Sequence, residues 1–139
     1  MAESSTTPLP RKLGIKPGQR LAFVNPPARF LNTVGPLPQG TVRIDDWQQE
    51  SGLDVIVFFA ANQDEMDRHL NDLADRLSPA GGLWVAWPKK ASGVSTDLSD
   101  DVVRNAGLEL GLVDNKVCSI DITWSAQRFV FRLCDRPKG

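Results

Sequence analysis

Three stretches of the chain are apolar without alternation: Arg20-Leu21-Ala22-Phe23-Val24, Asp54-Val55-Ile56-Val57-Phe58-Phe59 and Leu83-Trp84-Val85-Ala86-Trp87. Runs of this length, rich in β-branched and aromatic residues, predict strands covered on both faces, as in the middle of a parallel sheet. Thr41-Val42-Arg43-Ile44 alternates instead and sits between Gly40 and Asp45-Asp46, which predicts a short strand nearer an edge. Between these runs the period changes to that of a helix. Met66, Leu70, Leu73 and Leu77 recur on one helical face behind Asn62-Gln63-Asp64-Glu65, a capping-box pattern, and that helix ends before Pro79. Ser99-Asp100-Asp101 predicts a second helix start, with Val102, Val103, Ala106 and Leu110 as its buried stripe up to Gly111. Pro27 can open a short helix reaching about Asn32, ahead of Gly35-Pro36.

The last two strands, Lys116-Val117-Cys118-Ser119-Ile120 and Gln127 to Leu133, are six residues apart. That is too few for a parallel crossover, so they form an antiparallel hairpin. The expected architecture is one three-layer α/β domain over residues 13–134: a mostly parallel sheet of about six strands closed by that C-terminal hairpin. Residues 1–12, rich in Ser, Thr and Pro, are expected to be a disordered tail, and 135–139 a short C-terminal one.

Composition narrows the function classes. Sixteen basic and seventeen acidic side chains leave a formal charge of -1, and no basic block exceeds Lys89-Lys90, so neither nucleic acid nor an acidic membrane is expected as partner. The polar N-terminus has no signal-peptide pattern and Val55–Ala61 is too short to span a bilayer, which places the expectation in the cytoplasm. Cys118 and Cys134 lie on strands without a Cys-x-x-Cys or Cys/His cluster, so both are read as reduced and structural, and no metal is expected. His69, beside Met66, Leu70 and Leu73, reads as a boundary histidine. No catalytic constellation is present.

The order strand, helix, Gly-Gly, strand, helix, Gly, hairpin over Asp54–Leu133 resembles the C-terminal half of the Rossmann-like methyltransferase fold. More narrowly, Leu13-Gly14-Ile15-Lys16-Pro17-Gly18, Gly82 to Lys90, Leu98 to Val103, Ile120-Asp121 and Trp124-Ser125 resemble an uncharacterised family of short bacterial domains, a likeness that carries no activity. Methyltransferases place a glycine-rich turn after their first strand, where backbone approaches S-adenosylmethionine; this chain has Asn25-Pro26-Pro27-Ala28-Arg29, so no cofactor is expected. Such folds often hold ribose hydroxyls with an acid after the second strand, a place that Asp45 or Asp46 takes here, although an acidic pair before Trp47 equally suits a solvated turn. Asn25-Pro26-Pro27 also resembles the Asn-Pro-Pro-aromatic motif of amino-group methyltransferases, but Ala28 takes the aromatic position and the motif follows the wrong strand.

In such sheets ligands gather outside the carboxyl ends of the parallel strands. Polar residues expected there are Asn25 after the first strand, Lys89, Lys90 and Ser92 after the fourth, and Asp121 and Trp124 in the hairpin. Lysines, a hydroxyl and the backbone near Gly93 suit either a small anionic ligand or a solvated basic loop. Asp121 is expected to pair with a lysine of that loop, and Trp124 with Trp87 to wall a flat ligand or cap the core. With no catalytic group recognisable, the leading expectation is a non-enzymatic ligand-binding or interaction domain. The alternative is an enzyme or sensor for an anionic metabolite or nucleotide. A third reading uses exposed apolar residues, Trp47 among them, as a homodimer surface.

Overall fold

The computed structural model describes residues 8–131. Its strands are β1 (Arg20–Val24), β2 (Val42–Arg43), β3 (Leu53–Phe59), β4 (Leu77–Pro88), β5 (Leu112–Ser119) and β6 (Trp124–Phe131); its α-helices are α1 (Leu9–Lys12), α2 (Phe30–Val34), α3 (Gln63–Arg76) and α4 (Asp100–Glu109). One sheet holds all six strands in the order β2-β1-β3-β4-β6-β5. The β1/β2, β1/β3 and β3/β4 pairs are parallel, while β6 runs antiparallel to both β4 and β5. The mostly parallel sheet ending in an antiparallel hairpin is the expected one. Because β5 and β4 share a direction, the β5–β6 turn lies at the carboxyl edge of β4.

Each face of the sheet has its own core. On one, Ile56, Phe58, Leu83, Val85 and Phe129 meet Met66, Leu70 and Leu73 of α3 and Val103 of α4. On the other, Val55, Val57, Phe59, Trp84 and Ala86 meet Leu9 of α1, Phe30 and Val34 of α2, and Leu13 and Ile15 between them. The indole N–H of Trp84 donates to the Leu13 carbonyl at 2.9 Å, so the buried tryptophan keeps its hydrogen bond and ties the chain's start to the sheet centre. α1 is a helical turn within the stretch assigned to the tail, and its Leu9 is buried. Residues 1–7, the C-terminal tail and Cys134 lie outside the described residues.

The helix signals act as the sequence indicates. The Asn62 side chain accepts from the Glu65 N–H at 2.9 Å, and the Glu65 carboxylate accepts from the Ala61 N–H at 2.9 Å, one residue earlier than the standard box. Ser99 accepts from the Val102 N–H at 3.3 Å. In α4 the buried positions are Val103 and Gly107, with Val102 and Ala106 partly covered, whereas Leu110 caps the helix and is exposed. A Cβ at Gly107 would fall inside the Phe129 ring, so this glycine lets α4 approach the sheet closely.

Gly81-Gly82, a pair whose backbone freedom suggests a turn before the Leu83–Trp87 run, instead lies within β4. A Cβ at Gly81 would come within 2.8 Å of the Asp54 carbonyl oxygen, and one at Gly82 would collide with the Arg128 guanidinium, which occupies the space a side chain would need.

Candidate functional site

The carboxyl edge is built from four strand ends. At the end of β1, Asn25 has φ 55°, and it is the only non-glycine residue with positive φ among those described. Asparagine enters this left-handed region more readily than most residues, so it makes the sharp exit that glycine commonly supplies. Pro26 and Pro27 follow, and the Pro27 carbonyl accepts from the Phe30 N–H at 2.9 Å, opening the turn that leads into α2. The helix itself starts at Phe30, three residues after the Pro27 expected to open it, and runs to Val34 rather than Asn32.

Beside this exit is a cavity of about 200 Å³ walled by Phe23, Pro26 and Leu31 and by Arg43 and Asp45 from the end of β2. The Arg43 guanidinium lies 3.3 Å from the Asp45 carboxylate, whose side chain is 83% exposed. Asp45 thus presents a carboxylate at the rim of an apolar notch. Asp46 instead uses its carbonyl to accept from the Gln49 N–H at 2.9 Å, in the 3-10 turn Trp47–Gln49.

The β4 end carries the larger space. After Pro88 the Lys89 N–H donates to the Thr123 carbonyl at 2.7 Å, pinning this exit to the hairpin turn. The following loop folds over the β3–α3 junction: the Thr96 hydroxyl donates to the Ala61 carbonyl at 2.7 Å, and Asp97 accepts from the Gln63 N–H at 2.8 Å. Under it lies a cavity of about 560 Å³ whose wall includes Trp87, Lys89, Lys90, Thr96, Ser99 and Asp100. Lys89 and Lys90 bring cations, Ser99 and Thr96 hydroxyls, and Asp100 a carboxylate.

The six residues expected to converge are divided. Lys89 and Lys90 line the large cavity, and the Lys89 ammonium also donates to the Ser119 hydroxyl. Ser92 is consumed locally: its hydroxyl donates to the Lys89 carbonyl at 2.6 Å and accepts from the Val94 N–H at 3.2 Å. Asn25 stands on the other side, next to Pro26 of the small cavity. Asp121 Oδ1 accepts from the N–H groups of Thr123 and Trp124, both at 2.8 Å. The expected lysine partner is absent, because among the described residues Asp121 enters no ion pair; it closes the hairpin instead. Trp124 packs edge-on to Phe59, centroids 5.2 Å apart, in the second core. The core-capping alternative describes it.

One further expectation changes. Trp47 is half-buried, edge-on to His69 at 6.1 Å with the Arg76 guanidinium 5.8 Å above its ring, so it staples a loop onto α3. The exposed large apolar residues nearest the hairpin are Val117 and Ile122, at 67% and 89%. His69 stands edge-on to Phe58 as well, as a boundary histidine should. What the sequence reading missed is the apolar wall of Phe23 and Leu31 and the place of Ser99 and Asp100 on the large cavity. Asp45 was marked by its position after β2; the others carried only core or cap signals.

No protein-family model and no curated protein matches the chain. Solved structures do. The chain is similar to DhpI in its complex with SAH (TM-score 0.59, 10% identity, 91% of this chain and 83% of that one). It is also similar to a protein from Sulfolobus solfataricus assigned to the type 11 methyltransferases (0.61, 11%, 89% and 89%). A third is magnesium protoporphyrin IX methyltransferase from Synechocystis with bound SAH (0.54, 10%, 84% and 75%). The fold is the Rossmann-like fold of S-adenosylmethionine-dependent methyltransferases. The expectation of a non-enzymatic domain on a truncated scaffold is corrected by these neighbours: the likeness covers most of the chain, not its C-terminal half, and its members include enzymes holding their cofactor product. No helix among the described residues is long and apolar enough to cross a membrane.

Proposed function

We propose that the protein is a methyl-transferring enzyme that binds an S-adenosyl nucleoside across the carboxyl ends of β1 and β2 and receives its acceptor in the cavity over β4. The observation that carries this reading is the pairing of an apolar notch, Phe23, Pro26 and Leu31, with the Asp45 carboxylate at its rim. A purine needs flat apolar walls and a ribose needs an acceptor for its two hydroxyls. These residues fit the nucleoside half of S-adenosylmethionine. For the amino-acid half, the left-handed Asn25 keeps the chain clear of the strand end, while Pro26 and Pro27 remove two backbone donors.

When bound, S-adenosylmethionine supplies a sulfonium methyl group to a nucleophilic atom, which gives up its proton. The chain's own contribution is placement. The Lys89 and Lys90 side of the large cavity suits an acceptor bearing an anionic group, and Asp100 is the carboxylate on its wall. Thr96 and Asp97 hold the covering loop against the β3–α3 junction, which sets how far the large cavity is shielded from water.

Thermal melting with S-adenosylhomocysteine (SAH) tests the reading. A ligand at one hundred times its dissociation constant should add about 2.7 kcal/mol of stability, and Asp45→Asn should remove most of that gain while leaving the unliganded melt unchanged. A melt that ignores SAH at millimolar concentration would overturn it.

A further inference from the structure

At the opposite, amino-terminal edge of the sheet, a cavity of about 220 Å³ is lined by Lys12, Lys16, Lys116 and Arg128 together with Asp54 and Gln19. The ion pairs among the described residues engage Arg20, Arg43, Arg68, Arg76 and Arg104, and none includes these four cations. The single carboxylate present, Asp54, already accepts from the Arg20 N–H at 2.9 Å. Gln19 is likewise engaged, its side chain accepting from the Lys16 N–H at 2.8 Å.

Arg128 is the unusual member. Its side chain is half-buried, makes no hydrogen bond among the described residues, and lies in the room left by the missing side chain of Gly82. Burial alone pushes its pKa down. Holding a guanidinium against a sheet beside three lysines is unfavourable unless an anion offsets it. A concave wall of one sign also focuses its field on the space inside. The chain as a whole is slightly acidic, so this concentration of positive charge is local.

We infer that this cavity binds a compact phosphate group, free or carried on a small ester, with the planar fork of Arg128 and the ammonium groups of Lys12, Lys16 and Lys116 as its donors. The fork matches two phosphate oxygens at once, and the lysines supply the charge around it. At about 220 Å³ the space admits a phosphate or pyrophosphate with little else. The site is at the edge remote from Asn25 and Asp45 and does not rest on the nucleoside reading.

Isothermal titration of the full chain with pyrophosphate, inorganic phosphate, glycerol phosphate and succinate tests it. Saturable one-to-one binding of at least one phosphate compound is expected, weakening as salt is raised, with the tighter of free phosphate and ester naming the source. Lys12→Gln combined with Lys116→Gln should lower the affinity at least tenfold, and Arg128→Lys, which keeps the charge but loses the fork, should lower it several-fold. Arg68→Gln, on the far face of α3, should change nothing. Lys116 is exposed and Lys12 only half-buried, so an unchanged melt will show that the double variant remains folded. Absence of saturable binding, an affinity indifferent to the double variant, or succinate binding as tightly as the phosphates would overturn the assignment.

Discussion

Oδ1 of Asp121 accepts a hydrogen bond from the backbone N–H of Trp124 at 2.8 Å, and a second from Thr123 at the same distance. One carboxylate thereby satisfies two donors of the β5–β6 turn, whose Thr123 carbonyl in turn holds Lys89. Removing an acceptor from partly buried donors costs about 1–3 kcal/mol. Asp121→Ala is expected to lower the melting temperature accordingly, and Asp121→Asn to recover most of the loss. Chemical denaturation of the three proteins measures both.

Gly107 lies against the Phe129 ring with no room for a methyl group. Gly107→Ala is therefore expected to destabilise by about 1–3 kcal/mol through overpacking, although alanine favours helix by roughly 1 kcal/mol. A net gain in stability would show that α4 can slide away from the sheet.

The left-handed conformation of Asn25 makes a different forecast. A β-branched residue there carries a cost of about 1–2 kcal/mol, whereas glycine carries none. Asn25→Val should unfold at lower denaturant than the parent and Asn25→Gly at no lower concentration.

Cys118 is a free thiol whose pKa burial raises above the ordinary cysteine value, with Lys12 and Lys89 pulling the other way. The proton is held more tightly folded than unfolded. The thiol's contribution to stability is thus full below the ordinary cysteine range and is lost as pH rises through the raised value. In a Cys134→Ser background, alkylation by iodoacetamide should show a midpoint above that of a free thiol. Lys12→Gln should move it further up, since one lowering influence is gone.

Much of the fold was legible because its signals are local. β1 spans the residues its apolar run marks, and β3 begins one residue earlier than its run. Asn62 and Ser99 cap helices because a short acceptor before an apolar period has one common use. β4 and β5 exceed their expected lengths for non-local reasons. Gly81 and Gly82 resemble a turn until Arg128, 46 positions after Gly82, is known to lie over the second of them. In β5 the register shifts between Asp114 and Lys116, which breaks the pattern that would have announced the strand.

The candidate site was legible in part. Lys89 and Lys90 face the expected edge because the strand before them fixes where they emerge. Asp121, Ser92 and Trp124 carry the same polar or aromatic signature as ligand groups, but backbone donors and acceptors and the Phe59 ring engage them. Which partner a side chain finds across the sheet is a three-dimensional fact. The walls formed by Phe23 and Leu31 were hidden for the converse reason, since an apolar residue reads as core wherever it points.

The most direct measurement is an amide NMR titration of the isotopically labelled full chain with SAH. Saturable shifts are expected at the β1 exit and β2 end, residues 23–31 and 43–46, with none at Lys12, Lys116 or Arg128. No shifts at saturating SAH, or shifts confined to the amino-terminal edge, would contradict the nucleoside reading.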